Sequence, residues 1–572
     1  MTSVPVQQIV SMVQQRRGSD YRWTGVVALS VMLLLGVVLV LADVPPAPLG
    51  ANVPVAQFSA ERALEHVKAI GSGPHPVGSA RHLEVENYIT ATLRQIGLTP
   101  EVQKATARDR WIDMPMPLEN ITAELKGSTP GKSVLLVAHY DSVSAGPGAS
   151  DDGAAVATLL ETAKILKSQA PFKRDIVFLF TDGEELGLMG AQAFVDQNPL
   201  AKNVGLVLNF EARGTSGPVI LFETSDQNAW LIDNVSKAAS HPVANSLSYE
   251  IYKRLPNDTD LTVFKRAGYQ GLNFAFIEGV MNYHRATDTL QNLNRGSLQH
   301  QGDYAVELAR WFGNVDQIEP GRGNAIYFDI LGKVLVHYSS RTGVLLLIAA
   351  ALLLAWVFFR GFQQKKLGAG RLAASVGIVV VGVLVALAAA FAIQRITVAL
   401  AARFHHVHAS TLSYGGYYVA AAVAFGLAVA SIAYVWAMRR LGPVNVAAAA
   451  MLLWFALAVW ATGWLQGMSY VWIWPLLFSA LAWGLVLETG RQERSKLLLA
   501  GAIPAILIIV PLAHKVFTAF GLGSGLIVSA LLALVLSLCA VQVGPDSMPR
   551  PLFLPITLCA AGAALFASAL LM

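Results

Sequence analysis

SVLLVAHYD, residues 133–141, is an unbroken apolar run that ends in a histidine, a tyrosine and an aspartate. A strand with one wet face alternates polar and apolar residues. This one does not, so both of its faces are expected to be buried, as in a sheet covered by helices on each side. DIVFLFTD (175–182) and VGLVLNFE (204–211) repeat the pattern, and between the three runs Asp152–Ser168 and Glu185–Gln197 carry helical periodicity. Strands alternating with helices predict an α/β domain, a mixed, mainly parallel sheet flanked by helices, with its working groups at the strand ends. Working outward, Ala60–Ile70 and Ser79–Ile96 read as helices and Glu101–Thr106 and Ile121–Lys126 as strands. Beyond the third run come a strand at Val219–Phe222, a helix at Asn228–Ala239, a strand at Leu272–Ile277 and a closing helix at Leu298–Phe312.

The residues at or near these strand ends are the ligand types of a hydrolytic metal site: His139 and Asp141, Asp151-Asp152, Glu184-Glu185, Glu211, and Tyr283-His284. Imidazole and carboxylate are the donors a catalytic zinc ion takes, and two ions about 3.5–4 Å apart need a carboxylate between them. Asp151, in the loop before a helix, is the natural bridge. Asp141, two residues past His139, is placed to bond the other imidazole nitrogen and fix its tautomer. Of the adjacent Glu184 and Glu185, one binds metal while its neighbour acts as general base. Glu211 and His284 complete the shells. Singly, each has an ordinary explanation: a core histidine after a strand, a glutamate pair at a helix start, an acidic turn or cap. Their joint occurrence at successive strand ends favours the site.

The rest of the chain is read from hydropathy. Of 572 residues, 54% are hydrophobic and 14% charged, too apolar for a soluble protein of this length. Thr24–Ala42 is an uncharged run preceded by Arg16, Arg17 and Arg22, long enough to cross a bilayer and too long for a cleaved leader, so it is expected to anchor the chain. Residues 58–314 have the composition of a globular domain, 315–341 form a linker, and 342–572 hold eight further spans at about 342–359, 372–393, 415–437, 444–466, 470–488, 497–513, 520–541 and 552–571. Nine crossings result. With residues 1–23 in the cytoplasm, the cytoplasmic loops carry Arg360, Lys365, Lys366, Arg371, Arg439, Arg440, Arg491, Arg494, Lys496 and Arg550, against Arg395, Arg403 and Lys515 opposite. That asymmetry puts the globular domain and the C-terminus outside the cytoplasm, in a periplasm or organelle lumen. The net charge of +5 is therefore topological, and no basic, aromatic-interleaved patch suggests nucleic acid. Both cysteines, Cys539 and Cys559, fall in expected spans, so any metal in the outer domain is held by His, Asp and Glu.

HYDSV (139–143), GASDDGAAVATLLE (148–161), FTDGEELGLMGAQAF (180–194), NFEARG (209–214) and NYHRATDTLQN (282–292) resemble the motifs of the co-catalytic zinc aminopeptidase and glutamate carboxypeptidase family. One span, a soluble-type domain and eight more spans resemble its membrane-bound branch, the endoplasmic-reticulum metallopeptidase and vacuolar membrane protease group. The compact membrane loops suggest a bacterial relative, hence an inner membrane. The resemblance implies two Zn2+ ions per chain, one on His139 and Glu211, one on Glu185 and His284, with Asp151 between them. It implies a peptide substrate, hydrolysed by a metal-bridging water that Glu184 activates, most readily by an aminopeptidase. Many aminopeptidases of the family carry Asp where Glu211 stands. Tyr283 resembles an oxyanion donor, with aromatic packing as its alternative. His75, in GPHPVGS (73–79), is read as structural. Arg213 is read as pairing with a neighbouring acid rather than a substrate carboxylate, Asp258 and Asp260 as a polar turn, with binding of the substrate amine or support of His284 as the alternatives, and Asp288 as a cap of its local helix or turn rather than a metal ligand.

Other functional classes stay open. A single-zinc glutaminyl cyclase-like acyltransfer enzyme would share the fold without needing His139, and a peptide-binding transporter or receptor would need no base. His405, His406 and His408 suit a membrane interface, and Gly521-Leu-Gly523-Ser-Gly525 suits close helix packing rather than a phosphate loop.

Overall fold

Seven strands, β1 (Glu101–Arg108), β2 (Pro115–Leu125), β3 (Ser133–His139), β4 (Ile176–Thr181), β5 (Val204–Ala212), β6 (Ser216–Thr224) and β7 (Gln270–Glu278), form one sheet in the order β1-β2-β4-β3-β5-β7-β6. The structure is a computed structural model and describes residues 24–108, 115–404, 415–489, 494–544 and 552–571. It divides into two units, Asp43–Ser340 and a second made of the chain up to Ala42 with Arg341–Met572. In the first unit β4, β3, β5 and β7 run parallel, and β1-β2 and β6 close the edges antiparallel.

Both faces of β3 are buried, as its apolar run predicts. Val134, Leu136 and Ala138 enter one core with Leu64, Leu160 and Leu308 from three covering helices. Leu135 and Val137 enter a second core with Leu188, Phe194, Leu261 and Phe264. A fully buried leucine is worth about 2 kcal/mol, and cutting Leu136 to alanine would cost about 2–5 kcal/mol because the sheet cannot collapse around the hole.

The connections place the site. From β3 the chain passes through the Gly153–Gln169 helix to β4 on one side, then through Met189–Gln197 to β5 on the other. The strand order reverses at β3, and the carboxyl ends of β3 and β5 open a crevice there.

Two stretches differ from the sequence expectation. The helix expected from Glu185 starts only at Met189; Glu184 to Leu188 form a turn, with Gly183 at φ 67° and Gly187 at φ 116°, conformations that glycine adopts without strain. The segment expected as a linker holds a hairpin, Ala325–Ile330 with Val334–Ser339, bridged to the domain through Asn245 and Phe328. Its inward residues Ile326 and Tyr327 are buried, which extends the domain past residue 314. Pro320 and the glycines at 321, 323 and 332 obscured the period-2 pattern.

The second unit is helical. Seven stretches among the described residues are long and apolar enough to cross a membrane: Thr24–Ala42, Ser340–Gln363, Ala369–Leu400, Gly415–Leu441, Pro443–Trp464, Gln466–Glu488 and Arg494–Gln542, with a shorter apolar helix at Phe553–Ala569. The expected spans 497–513 and 520–541 both lie within the stretch that ends at Gln542, which turns at Gly521–Ser524. The glycines there make that turn rather than a close helix contact: Gly521 has φ 53°, and nothing lies within 4 Å of where its Cβ or that of Gly523 would stand. Thr24–Ala42 packs through Ala28, Met32 and Leu39 on Ala502, Ile506 and Cys539, so the first helix belongs to the same bundle as the C-terminal ones. Arg395, expected in a loop, lies inside the Ala369–Phe404 helix. His405, His406, His408, Arg491, Arg550 and the N-terminal arginines lie outside the described residues.

Candidate metal centre

Four parallel strands deliver the site residues to one place. β3 ends in His139, β4 leads into the turn that carries Glu184 and Glu185, β5 bears Glu211, and β7 leads through Gly279 to Tyr283 and His284. His139 Nε2 lies 3.2 Å from Asp151 Oδ1 and 3.7 Å from Glu211 Oε2. His284 Nε2 lies 3.0 Å from Asp151 Oδ2 and 3.2 Å from Glu185 Oε2. Asp151 therefore presents one carboxylate oxygen to each side. Two groups share it: His139, Asp151, Asp152 and Glu211, and Asp151, Glu185 and His284, each with ligand atoms within 4.8 Å of one another.

Close approach does not satisfy all of these atoms. Asp151 Oδ2, Asp152 Oδ1, Glu185 Oε1 and His284 Nε2 are buried and make no hydrogen bond. Orphaned buried acceptors cost about 1–3 kcal/mol each, so the cluster is complete only with a cation. Its electrostatics agree. Burial, reinforced by the negative charge of Asp151, lifts Glu185 to about 7, and burial lifts Glu211 to about 8 against the pull of His139. Burial also opposes the His284 imidazolium, yet the carboxylates of Asp151 and Glu185 outweigh it and raise the ring to about 10. Carboxyls and imidazoles all compete for protons here, which is the condition a divalent ion relieves, and an all-nitrogen-and-oxygen donor set suits zinc.

The surrounding residues hold this arrangement. The Asp288 carboxylate accepts the backbone N–H groups of Ser150 (2.9 Å) and Asp151 (3.1 Å), so it holds the distant acidic loop rather than capping its own local turn as expected. Asp141 departs from its expected role. His139 Nδ1 bonds the backbone carbonyl of Asp141 at 3.0 Å, while the carboxylate, 3.6 Å away, accepts the backbone N–H groups of Glu184 (3.0 Å) and Glu185 (3.2 Å). Two residues past the strand end, the chain has turned far enough that its carbonyl reaches the ring first. Asp141 thus anchors the Glu184-Glu185 turn.

Glu184 belongs to neither ligand group, and burial raises its carboxyl well above the usual range, opposed by nearby His139. The Tyr283 ring stacks on His284 at 3.8 Å, and burial beside the acids raises the pKa of its hydroxyl. His75 stands apart as a structural group: its Nδ1 bonds the Gly73 carbonyl at 3.0 Å, its backbone N–H donates to Ser142 Oγ at 2.9 Å, and burial pushes the ring to about 4.

Two expectations change. Asp260 is no exposed turn: it is 1% exposed, bonds the Thr181 hydroxyl at the end of β4, and is held near 6 by burial. Asp258 is partly exposed and lies 3.5 Å from Arg266. Arg213 makes no ion pair among the described residues, and its Nε is buried without a hydrogen-bond partner. The sequence reading named Asp152 without a role of its own, and here it accepts the His139 N–H at 3.3 Å; that reading passed over the buried His82–Asp182 pair at 2.8 Å, whose Asp182 precedes the Glu184 turn. The DD pair at 151–152 was the available signal for Asp152; nothing local pointed from residue 82 to residue 182.

Residues 120–309 match the profile of peptidase family M28. The Asp43–Ser340 unit carries an M28 peptidase domain. Relatives of similar sequence include a metallopeptidase and a membrane protease. Endoplasmic reticulum metallopeptidase 1 of Rattus norvegicus is 31% identical over 320 residues, covering 50% of this chain and 35% of the relative. A vacuolar membrane protease of Candida dubliniensis is 32% identical over 246 residues, covering 42% of this chain and 26% of the relative. The chain therefore spans about a third of the length of these curated relatives. Zinc aminopeptidases and glutaminyl cyclases are among the solved structures that superpose on the peptidase domain. The Porphyromonas gingivalis glutaminyl cyclase does so with a TM-score of 0.37 at 23% identity, covering 44% of this chain and 97% of that one.

Proposed function

We propose that this chain is a membrane-anchored di-zinc exopeptidase acting as an aminopeptidase. The observation that carries the proposal is the pair of ligand groups meeting at Asp151: His139 and Glu211 on one side, Glu185 and His284 on the other. Zinc ions held there would polarise the scissile carbonyl and acidify water. Glu184, beside both groups and in neither, takes the proton from the attacking water and returns it to the leaving amine. Tyr283 donates its hydroxyl to the developing oxyanion. The gathering of acidic side chains at Asp151, Asp152, Glu185 and Glu211 supports a substrate that brings a free ammonium group. The completeness of the His139 group supports two ions over the single ion of a glutaminyl cyclase-like enzyme. The basic-residue asymmetry of the helical unit supports a peptidase domain outside the cytoplasm, facing a bacterial periplasm or an organelle lumen.

Glu184→Gln tests the reading. The variant should fold, keep two zinc ions per chain and lose about 10²–10⁴ in kcat on free-amine peptides. Amine-blocked peptides should resist the unmodified protein. Normal turnover by the Gln variant would refute the role of Glu184, and equal cleavage of blocked and free peptides would refute the aminopeptidase.

A further inference from the structure

Behind Glu211 runs a buried chain of polar side chains that the chemistry above does not use. Glu211 Oε1 accepts from Asn209 Nδ2 at 3.0 Å, and the same Nδ2 donates to Asn273 Oδ1 at 3.0 Å. Asn273 Nδ2 donates to Glu223 Oε2 at 2.9 Å and to Thr259 Oγ1 at 2.8 Å. Glu223 Oε1 ends the chain on Lys265 Nζ at 2.6 Å. Asn209 and Asn273 are 0% exposed and Glu223 3%.

An amide has a donor end and an acceptor end, so this chain has a direction. Glu223 beside a lysine ammonium offers only acceptor oxygens, which obliges Asn273 to turn its NH2 toward it and its carbonyl toward Asn209. Asn209 must then present its NH2, and that NH2 meets Glu211. Nothing else orients Asn209, because its own Oδ1 is buried without a partner. Reversed, the amide would set oxygen against oxygen at both Glu211 and Asn273 in a buried place, where each unmet acceptor costs about 1–3 kcal/mol.

We infer that the Lys265–Glu223 pair acts as a positioning device: through Asn273 and Asn209 it holds Glu211 Oε1 as an acceptor and leaves Oε2 to the ion on the His139 side. The inference rests on the two-ion reading of the site. Glu223, Asn273 and Asn209 are positioning residues, since none belongs to either ligand group, and Lys265 sets only which end of a residue-223 amide would face it.

The direction of the chain separates this role from plain structural support. In Glu223→Gln, Lys265 still attracts the carbonyl end of the new amide, so the NH2 faces Asn273 and the relay reverses. Lys265→Met breaks the same ion pair but leaves an acceptor facing Asn273. In the double variant the glutamine is free to turn its carbonyl back. Zn2+ titration of the full-length protein in detergent against a chromophoric chelator, with Co2+ absorption as a second readout, should give a 10–100-fold weaker affinity for one of two ions in Glu223→Gln. Lys265→Met should stay near the unmodified value, and Glu223→Gln/Lys265→Met should recover. Two full-affinity ions in Glu223→Gln, or equal losses in both single variants, would overturn the inference while leaving the two-ion reading intact. Should Glu223→Gln not fold, Asn209→Ala carries the same expectation of a single-site loss, and full affinity there overturns it. Uptake of fewer than two ions by the unmodified protein would instead overturn the reading beneath it, and the inference with it.

Discussion

Replacing Asp141 by asparagine separates two roles that its position allows. In the structure its carboxylate accepts the N–H groups of Glu184 and Glu185 at 3.0 and 3.2 Å, while His139 Nδ1 bonds the Asp141 backbone carbonyl, which the substitution leaves in place. Asparagine keeps one acceptor. Its NH2 must face one of the two backbone N–H groups, orphaning a buried donor at about 1–3 kcal/mol, and the surviving bond loses its charge assistance at about 1 kcal/mol more. A total of about 2–4 kcal/mol is thus withdrawn from the turn that aims Glu184. Released as misplacement of the base, about 3 kcal/mol of this corresponds to a roughly 100-fold fall in kcat. The ion on the His139 side should remain, since its ligands are untouched. The assay is steady-state peptide hydrolysis by the purified protein beside zinc content. If Asp141→Asn kept its kcat and instead lost one ion, the carboxylate would be orienting the imidazole, and the turn-anchor reasoning would fail.

Two further outcomes follow from the same structure. His300 is 2% exposed, accepts the Val219 N–H on Nδ1 and bonds the His241 carbonyl through Nε2, and burial pushes it to about 4. The unfolded chain takes up this proton near pH 6.5 and the folded one only near 4, so stability rises with pH across that window and up to about 3 kcal/mol is lost on acidification through it. His300→Gln should flatten the fall in Tm between pH 6.5 and 4 without abolishing it, because His66 and His75 are also held near 4; an unaltered acid slope would contradict the assignment. Chelation should lower the Tm of the peptidase domain by roughly 10 °C, since an ion present at a thousandfold its Kd contributes about 4 kcal/mol, and an unchanged Tm would argue against a metal bound to the folded state.

Much of this molecule was legible along the chain. The period-free apolar runs at 133–139, 175–182 and 204–211 announced a sheet buried on both faces, because a strand without polar alternation has no face to give to water. The site residues stood at the strand ends, and hydropathy marked the apolar helices, since the energy of burying a long uncharged helix depends on composition alone. Three-dimensional placement decided what composition cannot encode. The two oxygens of Asp151 face different histidines because β3 and β7 bring His139 and His284 to opposite sides of one loop. The carboxylate of Asp141 serves a turn 43 residues away rather than the ring two residues before it. Asn209, ordinary in sequence, orients Glu211 because β5 and β7 set it beside Asn273, 64 residues on. Apolar burial is a property each residue carries along the chain, whereas hydrogen-bond direction and metal geometry belong to atoms that only the folded sheet brings within 3 Å.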